Sequence, residues 1–312
     1  MIVFCGEALI DMIEQPTLDG RVGFVPHPGG AALNSAIALG RLGVPSALFS
    51  GLSRDQFGTQ LQQALAESHV STAFANLSDR PTTLSFAHLT DGHATYSFVD
   101  ENSAGRMVSL ADLPTLPDAV STLVFGGISL ATEPAADSYL HLARQEAGAR
   151  VIMLDLNIRP DCIPDDSRYR ARLNEMLALA DIVKLSEEDI DWLGPKKTPR
   201  DQAALAHGSA ATALMCLTLG DEGVRAWITG QDAPVTASPP AVDVKDTIGA
   251  GDTFNAGLLA DLDSQGLLSK SALHQLTPQA LQRALTFGCR AAAISVSRAG
   301  ANPPWRHELG SD

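Results

Sequence analysis

Asp246-Thr247-Ile248-Gly249-Ala250-Gly251-Asp252-Thr253-Phe254 runs directly into Asn255-Ala256-Gly257-Leu258-Leu259-Ala260. The second run has the apolar spacing of a buried helix, so a glycine loop ends where a helix begins. Gly249 and Gly251 remove side chains that would keep an anion away from the backbone, and the first N–H groups of a helix have no partner within it. Together they form an anion site, suited to charge developing on a phosphoryl group. At the helix start, Asp252 can accept a backbone N–H as an N-cap or take the proton of a hydroxyl attacking phosphorus. The position alone allows both.

Outward from this loop, short apolar runs alternate with amphipathic stretches. Val44 to Ser50, Thr122 to Phe125, Val151 to Leu156, Ile182 to Leu185 and Ala213 to Leu219 read as strands. Ala31 to Leu42, Asp55 to Ser68, Glu133 to Ala147 and Tyr169 to Ala180 read as helices. The alternation predicts an α/β fold with a mostly parallel central sheet covered by helices. No repeat and no Pro-, Gly- or Ser-rich linker divides the chain, so residues 1–312 are read as a single domain. Two segments break the rhythm: residues 12–26 and 82–99 read as strands with polar turns at Leu18-Asp19-Gly20 and Thr90-Asp91-Gly92. They are expected to form a small separate sheet, usable as a lid or as a dimer contact.

Thirty-six acidic against 22 basic residues give a formal charge of −14, which repels a nucleic-acid backbone. No apolar run approaches the ~20 residues that span a bilayer, and Met1 to Cys5 reads as a strand rather than a leader, which points to a cytoplasmic protein. Cys5, Cys162, Cys216 and Cys289 are too scattered for zinc or redox spacings and read as free thiols. Gly6-Glu7-Ala8-Leu9-Ile10-Asp11 after the first strand lacks the dinucleotide fingerprint Gly-x-Gly-x-x-Gly, and neither a Walker A loop nor the protein-kinase motif set occurs.

The 246–254 stretch resembles the C-terminal signature of the ribokinase, or PfkB, family of carbohydrate kinases. Gly29-Gly30-Ala31-Ala32-Leu33-Asn34 resembles the family's N-terminal Gly-Gly-x-x-x-Asn signature, and residues 6–11 its opening strand and sugar-binding aspartate. The resemblance implies a ribokinase-like three-layer α/β/α fold, with Asp252 as general base and Gly249, Ala250 and Gly251 as the anion hole. It makes Asp11, Gly29, Gly30 and Asn34 sugar-binding residues; a carboxylate accepts hydroxyl donors, and an amide both donates and accepts. Asp155-Leu156-Asn157-Ile158-Arg159-Pro160 is similar to a stretch common in fructokinases and 2-keto-3-deoxygluconate kinases. Arg159, and Arg106 beyond the lid, are its candidate sugar or phosphoryl contacts, against readings as an ion pair and a solvated loop charge.

On the nucleotide side, Lys184 and Ser186 open a run similar to the family's Asn-x-x-Glu region, with Asp189 in place of Glu as a water-mediated Mg²⁺ ligand. The same run also reads as a charged, capped helix start. Thr218, Gly220 and Gly223 lie in a turn resembling the ATP-contacting one. Residues 299–306 resemble the family's closing loop, and Asp246 resembles part of its monovalent-cation site, which would take K⁺; a turn-forming side chain is the other reading. The implied cofactors are ATP and Mg²⁺, with K⁺ left open, and the lid edges suggest a homodimer. Fructose to fructose 6-phosphate is the expected reaction; 2-keto-3-deoxygluconate or another ketose or ribose as acceptor, and a non-catalytic sugar-binding regulator, are the alternatives.

Overall fold

A computed structural model describes residues 1–90, 93–194 and 212–310, and of residues 87–90 and 93–96 the backbone alone. Largely apolar runs build the main sheet: β1 (Ile2–Cys5), β4 (Ser46–Phe49), β10 (Thr122–Gly126), β11 (Val151–Asp155), β12 (Ile182–Ser186) and β13 (Leu214–Thr218). With β6 (Val70–Ser71), β14 (Val224–Ile228) and β15 (Val235–Ala237) they form a nine-stranded sheet in the order β15-β14-β13-β12-β11-β10-β1-β4-β6. Pairing is parallel from β6 through β13 and antiparallel at the β13-β14-β15 edge.

Alternation along each strand divides the apolar side chains between two cores. Ile2, Phe4, Val151, Met153, Leu214 and Cys216 face a core shared with Leu33, Leu61, Phe254 and Leu285. Val3, Cys5, Ile152, Leu154, Met215 and Leu217 face a second core with Tyr139, Tyr169, Leu173 and Ile190. Helices α1 (Ala31–Arg41), α2 (Gln56–Glu67), α6 (Ala250–Ser264), α7 (Lys270–Leu273) and α8 (Pro278–Val296) cover the first face. On the second lie α3 (Ala135–Glu146), α4 (Asp166–Leu179) and α5 (Glu187–Leu193). Sheets buried on both faces read as near-continuous apolar runs, which is why these strands were legible. Helices α6 and α8 pack so closely that a Cβ on Gly257 would stand 2.7 Å from the Gly288 Cα.

The separate small sheet exists; its first hairpin is wider than the expected 12–26, and its second starts two residues later than the expected 82. Its order is β3-β2-β8-β9, from β2 (Leu9–Pro16), β3 (Val22–Gly29), β8 (Leu84–Thr90) and β9 (His93–Val99). A parallel β2–β8 pairing joins two antiparallel hairpins and sets Asp11 opposite Ser85. Asp91 and Gly92, expected in the second turn, lie outside the described residues. A third sheet pairs β5 (Gly51–Ser53) with β7 (Asn76–Ser78). The four cysteines are free; Cys162 is half-buried and the others are buried. Among the described residues no helix is long and apolar enough to cross a membrane.

Candidate active site

The carboxyl ends of the parallel strands, the start of α6 and the small sheet enclose a cavity of about 550 Å³. Ligands of open α/β sheets collect at this edge. Asp11, Gly30, Asn34, Arg159, Lys184 and residues 249–252 all line it.

Asp11 enters from β2 between His27 and Ser85. Burial holds its carboxyl above the usual range, with the Ser85 hydrogen bond and the His27 charge pulling the other way. A side chain on Gly29 would collide with that carboxylate. Gly30 has φ 102°, and a Cβ there would lie 2.7 Å from the Glu7 carbonyl oxygen, so both conformation and space require glycine. One turn into α1, the Asn34 Nδ2 donates to Asp252 Oδ2 at 3.0 Å across 218 residues of sequence. The two glycine signatures therefore meet in one hydrogen bond.

Asp252 is the third residue of α6, and its carboxylate is not the N-cap. Gly249 caps the helix in a left-handed conformation, φ 73°, and has no side chain to offer. Burial pushes the Asp252 carboxyl up to about 7, with Asn34 lowering it, Asp155 raising it, Lys184 lowering it and Glu7 raising it. Near neutral pH such a group exists in both charge states, as a general base requires. Of the three loop amides, Ala250 donates to the Thr247 carbonyl at 3.2 Å. The Gly249 and Gly251 N–H groups find no acceptor among the described residues and are the available anion donors.

Lys184 lies beneath this loop, its ammonium 3.1 Å from where a Gly251 Cβ would stand. It pairs with Asp155 at 3.1 Å, and Asp155 accepts from Asn255 Nδ2 at 2.6 Å. Burial works against the Lys184 charge, but the Asp155 and Asp189 carboxylates outweigh it and hold the pKa above its ordinary value. A retained cation beside two open amides suits phosphate oxygens.

The structure gives Ser186 and Asp189 a different task from the expected nucleotide and metal contacts. Ser186 is the N-cap of α5 and Asp189 completes its capping box. The Asp189 carboxylate is buried and accepts from the Ile158 N–H at 2.7 Å and from the Ser186 N–H and hydroxyl at 2.7 and 2.9 Å. Such a saturated carboxylate does not fit a hydrated cation. Glu188, one residue earlier, lines the cavity instead.

The two candidate arginines also separate. Arg159 lines the cavity; its Nη1 donates to its own residue's neighbour, the Ile158 carbonyl, at 3.0 Å, and no ion pair with Asp155 or Asp161 forms. Arg106 lines an adjoining cavity of about 390 Å³ and is paired with Asp100 at 3.0 Å. Thr218 ends β13 beside Ser186, and Gly220 and Gly223 turn the chain into β14 with φ 58° and 97°; these three stand outside the 550 Å³ cavity. Asp246 accepts from the Ile248 N–H at 3.0 Å and the Gly300 N–H at 2.8 Å, tying the closing loop to the glycine loop.

Glu7, Asn255 and Glu188 were not singled out in the sequence. Asn255, three residues after Asp252 on one helix, had a spacing that pointed to a shared neighbourhood. The other two carried no distinguishing signal among 36 acidic residues.

The model of the pfkB family of carbohydrate kinases matches residues 1–308. The chain is 46% identical over 284 residues to a fructokinase of Rhizobium leguminosarum bv. trifolii, covering 90% of this chain and 86% of the relative. It is 32% identical over 314 residues to an Escherichia coli fructokinase, covering 98% and 97%. Among solved structures it resembles the fructokinase of Xylella fastidiosa with bound ATP, with a TM-score of 0.85, 27% identity, and 99% and 97% of the two chains covered. It also resembles the Vibrio cholerae O395 fructokinase in its fructose, ADP and calcium ion bound form, with a TM-score of 0.79, 26% identity, and 96% and 94% covered. With both glycine signatures, the three-layer fold and a family match over nearly its whole length, this chain belongs to the pfkB family of carbohydrate kinases.

Proposed function

We propose that this protein transfers the γ-phosphate of MgATP to fructose, giving fructose 6-phosphate. The observation that carries the reading is the Asp252 carboxylate, buried, held by Asn34 and raised to about 7 at the mouth of an open-amide loop. The relatives named as fructokinases support the same acceptor.

In this reading Asp11, the Gly30 backbone and the Asn34 amide oxygen grip the sugar hydroxyls. Asp252 takes the proton of the attacking hydroxyl, and the Gly249 and Gly251 amides with Lys184 stabilise charge on the transferring phosphoryl, so catalysis is mainly positioning and electrostatics. Mg²⁺ bound to the nucleotide would neutralise its phosphates, and Glu188 is the carboxylate placed for the ion's water shell. Thr218, Gly220 and Gly223 take the nucleotide side. A K⁺ ion near Asp246 would bias the glycine loop by setting the two loops that Asp246 joins. The chain works as one domain whose small sheet closes over the sugar. The apolar, exposed Val22, Phe24 and Val25 on edge strand β3 support pairing with a second copy. Asp100 offsets the Arg106 charge, which counts against a sugar acid as preferred acceptor.

ADP release with MgATP, with and without K⁺, across fructose, 2-keto-3-deoxygluconate, ribose, tagatose and adenosine tests the proposal. Fructose should give the highest kcat/KM. A better acceptor would replace the substrate and keep the kinase, whereas sugar binding without turnover would make the protein a regulator.

A further inference from the structure

Helix α1 begins without a cap of its own: its N-cap is Gly30, which makes no side-chain hydrogen bond, and its first turn holds no acidic residue. Its orphan N–H groups are served from the β1–β2 turn by one residue. The Glu7 carboxylate accepts from the Ala31 N–H at 3.0 Å, and the Glu7 backbone carbonyl accepts from the Leu33 N–H at 3.4 Å. Glu7 is itself fixed, since its N–H donates to Ser129 Oγ at 2.8 Å and its second carboxylate oxygen accepts from the Ser129 hydroxyl. Gly127 leaves it room: a Cβ there would lie 3.0 Å from Glu7 Oε1. A carboxylate at this end also suits the helix dipole. The next residue along the helix is Asn34, whose N–H closes the first turn on the Gly30 carbonyl at 2.8 Å and whose amide holds Asp252.

We infer that Glu7 is a positioning residue for phosphoryl transfer: by capping α1 from outside the helix it fixes Asn34, and through Asn34 the Asp252 carboxylate. The inference rests on the kinase reading for its kinetic consequence and on geometry alone for its effect on Asp252. The charged or titratable groups facing Glu7 are Arg159, Tyr139, Cys162, Tyr169 and Asp252, with Ser129 as its hydrogen-bond partner; those facing Asp252 are Asp155 from β11, Lys184 from β12 and Glu7, with Asn34 from α1 as its hydrogen-bond partner.

Ala31→Pro breaks the contact from the helix side, because proline has no N–H for Glu7 to accept and its ring displaces the Glu7 carboxylate, at a first-turn position whose φ proline can adopt. Two readouts are taken on Ala31→Pro, Glu7→Ala, Glu7→Gln and Asn34→Ala: kcat on fructose, and the Asp252 titration midpoint by carboxyl ¹³C NMR, which needs no turnover. Ala31→Pro should lower kcat by about 10- to 100-fold and raise the midpoint, since slackening Asn34 loosens the contact that holds the Asp252 carboxyl down. Glu7→Ala should lower kcat alike, Glu7→Gln should recover most of the loss because its amide oxygen still accepts, and Glu7→Ala should cost nothing further in the Asn34→Ala background. The inference falls if Ala31→Pro leaves both readouts at wild type, or if the Glu7→Ala and Asn34→Ala losses multiply. Should Glu7→Ala fail to fold, Ala31→Pro decides. A wild type that phosphorylates no sugar sinks the kinase reading, and the NMR midpoints still decide the role of Glu7.

Discussion

Asp189 and Asp252 are both the third residue of a helix that leaves the carboxyl edge of the main sheet, and both are buried. Their environments assign them opposite roles. Asp189 follows a serine N-cap and completes a capping box, and its carboxylate receives three donors in all, the Ile158 and Ser186 N–H groups and the Ser186 hydroxyl. Asp252 follows a glycine N-cap with nothing to reciprocate and receives one side-chain donor, Asn34. A carboxylate saturated with donors becomes part of the scaffold, whereas one buried with a single donor keeps lone pairs for substrate and a raised proton affinity. The residue that precedes the helix decides which outcome follows.

Removing each carboxylate should break this contrast in different observables. Asp252→Asn keeps an acceptor for Asn34 but loses the base, so kcat should fall about 10² to 10⁴-fold with sugar affinity near wild type, as turnover and calorimetric binding would show. In the wild type kcat/KM should fall with acid below about pH 7, where Asp252 protonates. A variant with near-normal turnover would remove Asp252 from the chemistry. Asp189→Ala should act on stability first, stranding the buried Ile158 amide and the half-buried Ser186 amide at a cost of about 2–4 kcal/mol in urea unfolding. An unchanged urea midpoint would mean the capping network carries no weight.

The smallest effect sharpens the comparison through pH. Folding lifts the Asp252 carboxyl from its ordinary 3.8 to about 7, so between those values the folded protein holds a proton that the unfolded chain has released. Stability from this group is therefore full below pH 3.8 and lost as pH rises through 7. Asp252→Asn avoids that loss and should be more stable than wild type by about 1–2 kcal/mol at pH 8, with the difference gone at pH 4. Thermal melts at both pH values check it; an equal difference at the two would mean that the Asp252 titration is not its source.

Much of this was legible along the chain. The buried strands showed as short, largely apolar runs, the glycine loop announced its helix, and the two signatures identified Asp11, Asn34 and Asp252, all of which reach one cavity. The alternative reading of Lys184 to Asp189 as a capped helix start describes Ser186 and Asp189 as the structure places them. Arg106 and Arg159 could not be ranked in sequence, because an arginine's partners are set by what folds beside it. Asp100 neutralises one, and the other keeps its place on the cavity wall.

The α/β architecture, the separate small sheet and the glycine loop that opens a buried helix followed from the sequence, since these depend on local periodicity and on glycines whose backbone freedom no other residue supplies. Tertiary structure alone decided which carboxylates remain available for chemistry. Burial and donor count depend on neighbours distant in the chain: Asn34 reaches Asp252, Ile158 saturates Asp189, and Glu7 caps a helix that starts 24 residues later. Charge and hydrogen bonding act through space, and only the fold brings those residues within a few ångströms of one another.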